Sequence, residues 1–107
     1  MLIKVSDYII KFLVKKKINH VFAVTGGAAL HLIHSAYLSK KIKLIPTVHE
    51  QAAAMAADSY SRITKNCGAA FATSGPGATN LVTGVSGAYF DSVPVIYITG
   101  QVSTTRS

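Results

Sequence analysis

CGAAFATSGPGATNLVTGVSGAYFDSVPVIYIT, residues 67–99, is the stretch on which the fold turns. Cys67 to Thr73 is an apolar run too short for a helix, so it reads as a buried strand, and Ser74-Gly75-Pro76-Gly77 ends it in a tight turn. Gly77 to Phe90 continues as a helix in which Gly84, Gly87 and Ala88 allow close packing against a neighbour. Val93 to Thr99, rich in β-branched residues, is the next strand. Strand, helix and strand in that order make a crossover, which places the two strands parallel with the helix on one face of the sheet. No charged residue occurs from Asn66 to Phe90. A membrane-spanning helix needs about 20 uninterrupted apolar residues, and the Ser-Gly-Pro-Gly turn cuts this stretch in two.

Towards the N-terminus the same alternation repeats. Gln51 to Arg62 is alanine-rich and helical, with Asp58 and Arg62 four apart for an ion pair. Lys43 to Val48 is a strand with Pro46 near its end. Thr25-Gly26-Gly27 is a turn between a strand at His20 to Val24 and a helix at Ala28 to Leu38. Val5 to Lys17 is an amphipathic helix, apolar through Val5, Ile9, Phe12 and Leu13, with Lys15-Lys16-Lys17 at the negative end of its dipole. The expected architecture is α/β, a parallel sheet flanked by helices, with residues 1–107 forming one domain without repeat or linker.

Composition narrows the function classes. Half of the 107 residues are hydrophobic and 14% are charged, which excludes long disorder. The net charge of +7 comes entirely from residues 1–43, where eight lysines face Asp7 alone; cations and anions balance in the remainder. These are lysines without interleaved aromatic residues, so neither a base-reading arginine set nor a stacking platform for nucleic acid is present. Cys67 is the only cysteine, which excludes an intrachain disulfide and a cysteine zinc cluster and favours a reducing compartment. The first residues lack the pattern of a secretory signal, so the expected address is cytoplasmic.

Ligands of parallel sheets sit at the carboxyl ends of the strands. Four loops fall there: Thr25-Gly26-Gly27, His49-Glu50, Ser74-Gly75-Pro76-Gly77 and Gly100-Gln101. Glu50 is the only glutamate and opens the alanine-rich helix. A carboxylate there is ordinarily a partner for the helix dipole. Its neighbours Pro46-Thr47-Val48 and Ala52-Ala53-Ala54 offer little polar cover, so burial would instead suit it for sharing a proton with a ligand. Ser74 to Asn80 resembles a dinucleotide-binding turn, yet Asn80 stands where the third glycine belongs and no acid ends the following strand to hold a ribose. A tight turn that brings the next helix onto the sheet explains it as well. His31 and His34, three apart, lack a nearby carboxylate to complete a metal site, so no metal ligands are expected. Cys67 reads as a small buried hydrophobe.

Taken together, HEQAAAMAADSYSR (49–62), ATSGPGATNLVTGVSGAYFDSVPV (72–95) and ITGQV (98–102) resemble the N-terminal pyrimidine-binding domain of thiamine-diphosphate-dependent enzymes, acetolactate (acetohydroxyacid) synthases in particular. The resemblance implies the thiamine-diphosphate-binding fold, truncated here. It makes Glu50 the cofactor-activating glutamate, which hydrogen-bonds a ring nitrogen of the aminopyrimidine and so promotes loss of the thiazolium C2 proton. Decarboxylation of a 2-oxo acid such as pyruvate then leaves a carbanion or enamine that adds to a second carbonyl compound. By the same likeness Thr73, Pro76 and Asn80 lie beside the pyrimidine, Gly26 and Gly27 border the reacting centre, and Gln101 reaches towards the substrate as a second catalytic residue. Magnesium and the diphosphate belong to a separate domain absent from this chain, several family members carry FAD, and the site is shared between subunits of a homodimer or homotetramer. The isolated chain is accordingly expected to show no turnover. Ala23, Val24 and Thr25 stand where those synthases have glycine-tyrosine-proline, and Ser59 and Ser86-Gly87 also depart from the pattern. Those departures leave open a related carboligase or decarboxylase acting on an aldehyde or keto-sugar, and a non-catalytic interaction module that retains the fold.

Overall fold

The computed structural model describes residues 2–106; Met1 and Ser107 lie outside them. Its elements alternate as α1 (Val5–Lys15), β1 (His20–Ala23), α2 (Leu30–Leu38, entered through a 3-10 turn at Gly27–Ala29), β2 (Lys43–Pro46), α3 (Glu50–Thr64), β3 (Gly68–Ala72), α4 (Pro76–Thr79), α5 (Val82–Phe90) and β4 (Val95–Thr99). The strands form one sheet in the order β2-β1-β3-β4, every pair parallel. The α/β architecture expected from the alternation is the one observed.

β3 is the centre of the molecule, buried along its whole length. Successive side chains of a strand point to opposite faces. Ala69 and Phe71 accordingly join the larger core with Ile10 and Leu13 of α1, Val21 of β1 and Ile33 and Ala36 of α2. Ala70 and Ala72 face the other way, against Ala53, Ala54 and Ala57 of α3. Small residues on both sides of that second layer let α3 lie almost on the sheet: a Cβ added to Gly68 would stand 2.9 Å from the Ala57 carbonyl carbon and still closer to its oxygen. Phe71, Leu13, Leu81 and Val21 are the largest fully buried side chains. Each contributes about 1.5–3 kcal/mol on leaving water.

Several boundaries differ from the sequence reading by a residue or two, and four elements show the local reason. The β2 strand stops at Pro46: Thr47 N–H makes a last bond to the Ala23 carbonyl at 2.9 Å, then Thr47 Oγ1 donates to the His49 carbonyl and closes a turn. The α1 helix ends at Lys15, and Lys17 turns the chain with φ 62°. The α3 helix runs from Glu50 to Thr64 and is closed by Lys65 at φ 63°. The helix expected over 77–90 is broken at Asn80 and Leu81, where Leu81 N–H closes a three-residue turn to the Ala78 carbonyl at 3.1 Å before α5 begins. The Asp58–Arg62 pair forms, and Arg62 also reaches Asp91 at 2.6 Å, tying α3 to the end of α5. Among the described residues no helix is long and apolar enough to cross a membrane.

Candidate functional site

The chain leaves β1 towards one edge of the sheet and β3 towards the other, so the strand order reverses between them. Such a reversal opens a crevice at the carboxyl ends of the two strands. Thr73 follows β3 directly and stands in that crevice. On one side of it, Gly26 approaches so closely that an added Cβ would lie 2.6 Å from Thr73 Cγ2 and 2.8 Å from Oγ1; Ala28 N–H donates to Oγ1 at 3.1 Å. On the other side, a Cβ on Gly77 would lie 2.7 Å from Cγ2 and 3.4 Å from Glu50 Oε2. Gly75, at φ 62° and ψ −127°, makes the turn that brings α4 back over Thr73, a conformation ordinary side chains rarely adopt. Pro76 then occupies the first helical position, where its missing N–H costs nothing, and its carbonyl accepts from Asn80 N–H at 2.9 Å.

Glu50 is the first residue of α3. His49 caps the helix by accepting Gln51 N–H on Nδ1 at 3.0 Å, so the positive end of the helix dipole falls at the carboxylate. Glu50 is half-buried, and its cover includes a polar group that its sequence neighbours do not supply: Asn80 Nδ2 donates to Oε1 at 3.1 Å. Local sequence carried no sign of this link, since the partners are thirty residues apart and meet only because α4 folds over the start of α3.

Thr73 also borders a polar cleft of about 650 Å³ lined by Gly27, Ala28, Ser74, Gln101 and Ser103. Gln101 is exposed there and accepts Val102 N–H on Oε1 at 2.8 Å. Of the residues singled out in the sequence, Glu50, Asn80, Gly77 and Thr73 therefore meet on one side, and Thr73, Gly26, Gly27 and Gln101 on the other, with Thr73 shared. Pro76 shapes the turn and is itself exposed. The histidine pair stands apart: His31 and His34 are exposed on α2, while His20, at the opposite end of β1, lies against Tyr60 with ring centroids 4.9 Å apart. Among the described residues no three histidine, cysteine or acidic side chains converge as a metal site. Burial pushes the Cys67 thiol up, the opposite of activation.

Residues 3–107 match the sequence model of a family described as thiamine pyrophosphate enzyme, N-terminal TPP binding domain. The acetolactate synthase large subunit of Cyanidium caldarium is 52% identical over 106 residues, which cover 95% of this chain and 18% of that protein. The corresponding subunit of Pyropia yezoensis is 50% identical over 93 residues, 84% of this chain and 16% of that protein. A probable acetolactate synthase large subunit of Methanocaldococcus jannaschii is 48% identical over 101 residues, 94% of this chain and 17% of that protein. The chain thus spans less than a fifth of the length of these relatives.

Proposed function

The chain belongs to the N-terminal TPP-binding domain family of thiamine pyrophosphate enzymes, and from that premise we propose that it activates thiamine diphosphate within an acetolactate-synthase-like enzyme. Such an enzyme decarboxylates a 2-oxo acid such as pyruvate and joins the product to a second carbonyl compound. The names of the relatives support this over carboligation of an aldehyde or keto-sugar. The observation that carries the proposal is the Glu50 carboxylate, set at a helix start with Oε1 engaged by Asn80 and Oε2 beside a glycine.

The residues present suit an aminopyrimidine by their chemistry: a carboxylate oxygen without a protein donor among the described residues, Glu50 Oε2, stands next to Gly77, where a Cβ would collide with the Thr73 methyl group. When bound, thiamine diphosphate supplies the nucleophilic thiazolium carbon and the electron sink for decarboxylation. Glu50 Oε2 would share a proton with the cofactor's ring nitrogen, and the dipole of α3 would favour the carboxylate left when that proton is passed on. Thr73, Pro76 and Asn80 would stand beside the pyrimidine, Gly26 and Gly27 would border the reacting centre, and Gln101, which lines the adjoining cleft with Thr73, would reach towards the substrate. Magnesium bound by another domain, a homodimer or homotetramer that shares the site and a cytoplasmic address complete the reading.

Glu50→Gln in the full-length protein tests it. Exchange of the thiamine diphosphate C2 proton with deuterium, followed by NMR, is expected to slow by about 10²- to 10⁴-fold, the range of a lost acid–base group, while the cofactor still binds. Exchange at the original rate would refute the assignment.

A further inference from the structure

A glutamate side chain is flexible, and a helix start does not by itself dictate where its carboxylate points. Asn80 is better fixed. It sits on the break between α4 and α5, its N–H bonded to the Pro76 carbonyl at 2.9 Å, and the next residue, Leu81, is buried against Ala54 and Ala72. Ala54 lies one turn along α3 from Glu50, so the contact that anchors the break also sets its distance from the carboxylate. From there Asn80 Nδ2 reaches Oε1 at 3.1 Å, and no other donor among the described residues is bonded to this carboxylate. Oε2 faces Gly77 instead.

We infer that Asn80 is a positioning residue for Glu50: its amide clamps Oε1 and thereby leaves Oε2 as the oxygen offered to a ligand in the crevice. The inference rests on the functional reading of Glu50 and deepens it.

One test needs no cofactor. In NMR spectra of the ligand-free full-length protein with labelled asparagine side chains, one Nδ2 proton of Asn80 exchanges with solvent about fivefold or more slowly than those of the exposed Asn66, as a hydrogen-bonded donor does, and Glu50→Ala removes the difference. Equal exchange at Asn80 and Asn66 in the unsubstituted chain would overturn the inference. The second test also uses the full-length protein. Asn80→Leu, close in size but without the donor, lowers C2-proton exchange at saturating thiamine diphosphate by about 10- to 100-fold, the cost of a misplaced reacting group, and no excess of cofactor restores it. The other pattern, weakened affinity with full exchange at saturation, would confine Asn80 to the wall of the pyrimidine site and overturn the clamp. Glu50→Gln separates the two levels: if it leaves exchange intact the functional reading fails, and if it abolishes exchange while Asn80→Leu does not, only the clamp fails.

Discussion

Gly26 and Gly27 are neighbours in sequence with opposite surroundings, which makes a paired substitution informative. Gly26 is extended, at φ −178°, so alanine meets no backbone strain there. Its methyl group, however, would stand 2.6 Å from Thr73 Cγ2 and 2.8 Å from Oγ1, where ordinary contact begins at 3.4 Å. Thr73 must retreat by about 1 Å, an overpacking that costs about 1–3 kcal/mol. The retreat also loosens the bond from Ala28 N–H to Thr73 Oγ1, worth about 0.5–1.5 kcal/mol. Gly26→Ala is therefore expected to lose about 2–4 kcal/mol, a large share of the 5–15 kcal/mol that holds a domain together. An alanine at Gly27 meets nothing within 4 Å and should stay within about 0.5 kcal/mol of the parent. Urea unfolding monitored by circular dichroism measures both, with the midpoint of Gly26→Ala falling by about 1–3 M. In a double-mutant cycle with Thr73→Gly, which removes the obstructing atoms, the added methyl should cost less than about 1 kcal/mol. Equal stability of the two alanine variants, or no relief in the cycle, would refute the close approach that defines the crevice.

Two further outcomes test the packing beneath the site. Burial, helped by the charge of Asp58, pushes the Tyr97 phenol up to about 12, while its hydroxyl donates to the Gly84 carbonyl at 3.2 Å. A phenol in the unfolded chain titrates near 10, so the stability linked to this group is present below about pH 10 and is lost as pH rises from there towards 12. Unfolding at pH 9 and pH 11 should show a loss in the parent that is smaller in Tyr97→Phe; equal losses would contradict the shift. The Asp58 side chain is only 13% exposed and relies on Arg62, whereas Asp91 is 57% exposed. Arg62→Met, which leaves Asp58 unpaired, should lower Tm more than Asp91→Asn; the opposite order in calorimetry would show that Asp91 carries the link between α3 and α5.

The parts of the fold legible in the sequence are those governed by short-range patterns. The apolar run read as a strand at 67–73, the turn read at Ser74-Gly75-Pro76-Gly77 and the alanines of α3 each announce their conformation to within a residue or two, because strand and helix periodicity and glycine or proline geometry act over a few residues. Boundaries were less legible where a hydrogen bond from elsewhere intervened. The β2 strand ends with the bond of Thr47 to Ala23 on the neighbouring strand, and the break at Asn80 coincides with its reach to Glu50 on α3.

The candidate site divides the same way. Glu50 was conspicuous as a lone glutamate at a helix start, and its family role rested on motifs whose order is itself a property of the chain. The network that holds it was not visible, because the thirty residues between Asn80 and Glu50 hide a contact made only in three dimensions. Sequence alone therefore determined the alternating α/β plan, the family and the chemical type of the candidate residues. Tertiary structure decided which of them meet: Thr73 sits between Gly26 and Gly77, Gln101 lines the adjoining cleft, and Asn80 holds Glu50. The physical reason is that a side chain's chemistry is local, whereas the position of its partner depends on how closely two helices and a sheet can pack, which glycines and alanines far apart in the chain set together.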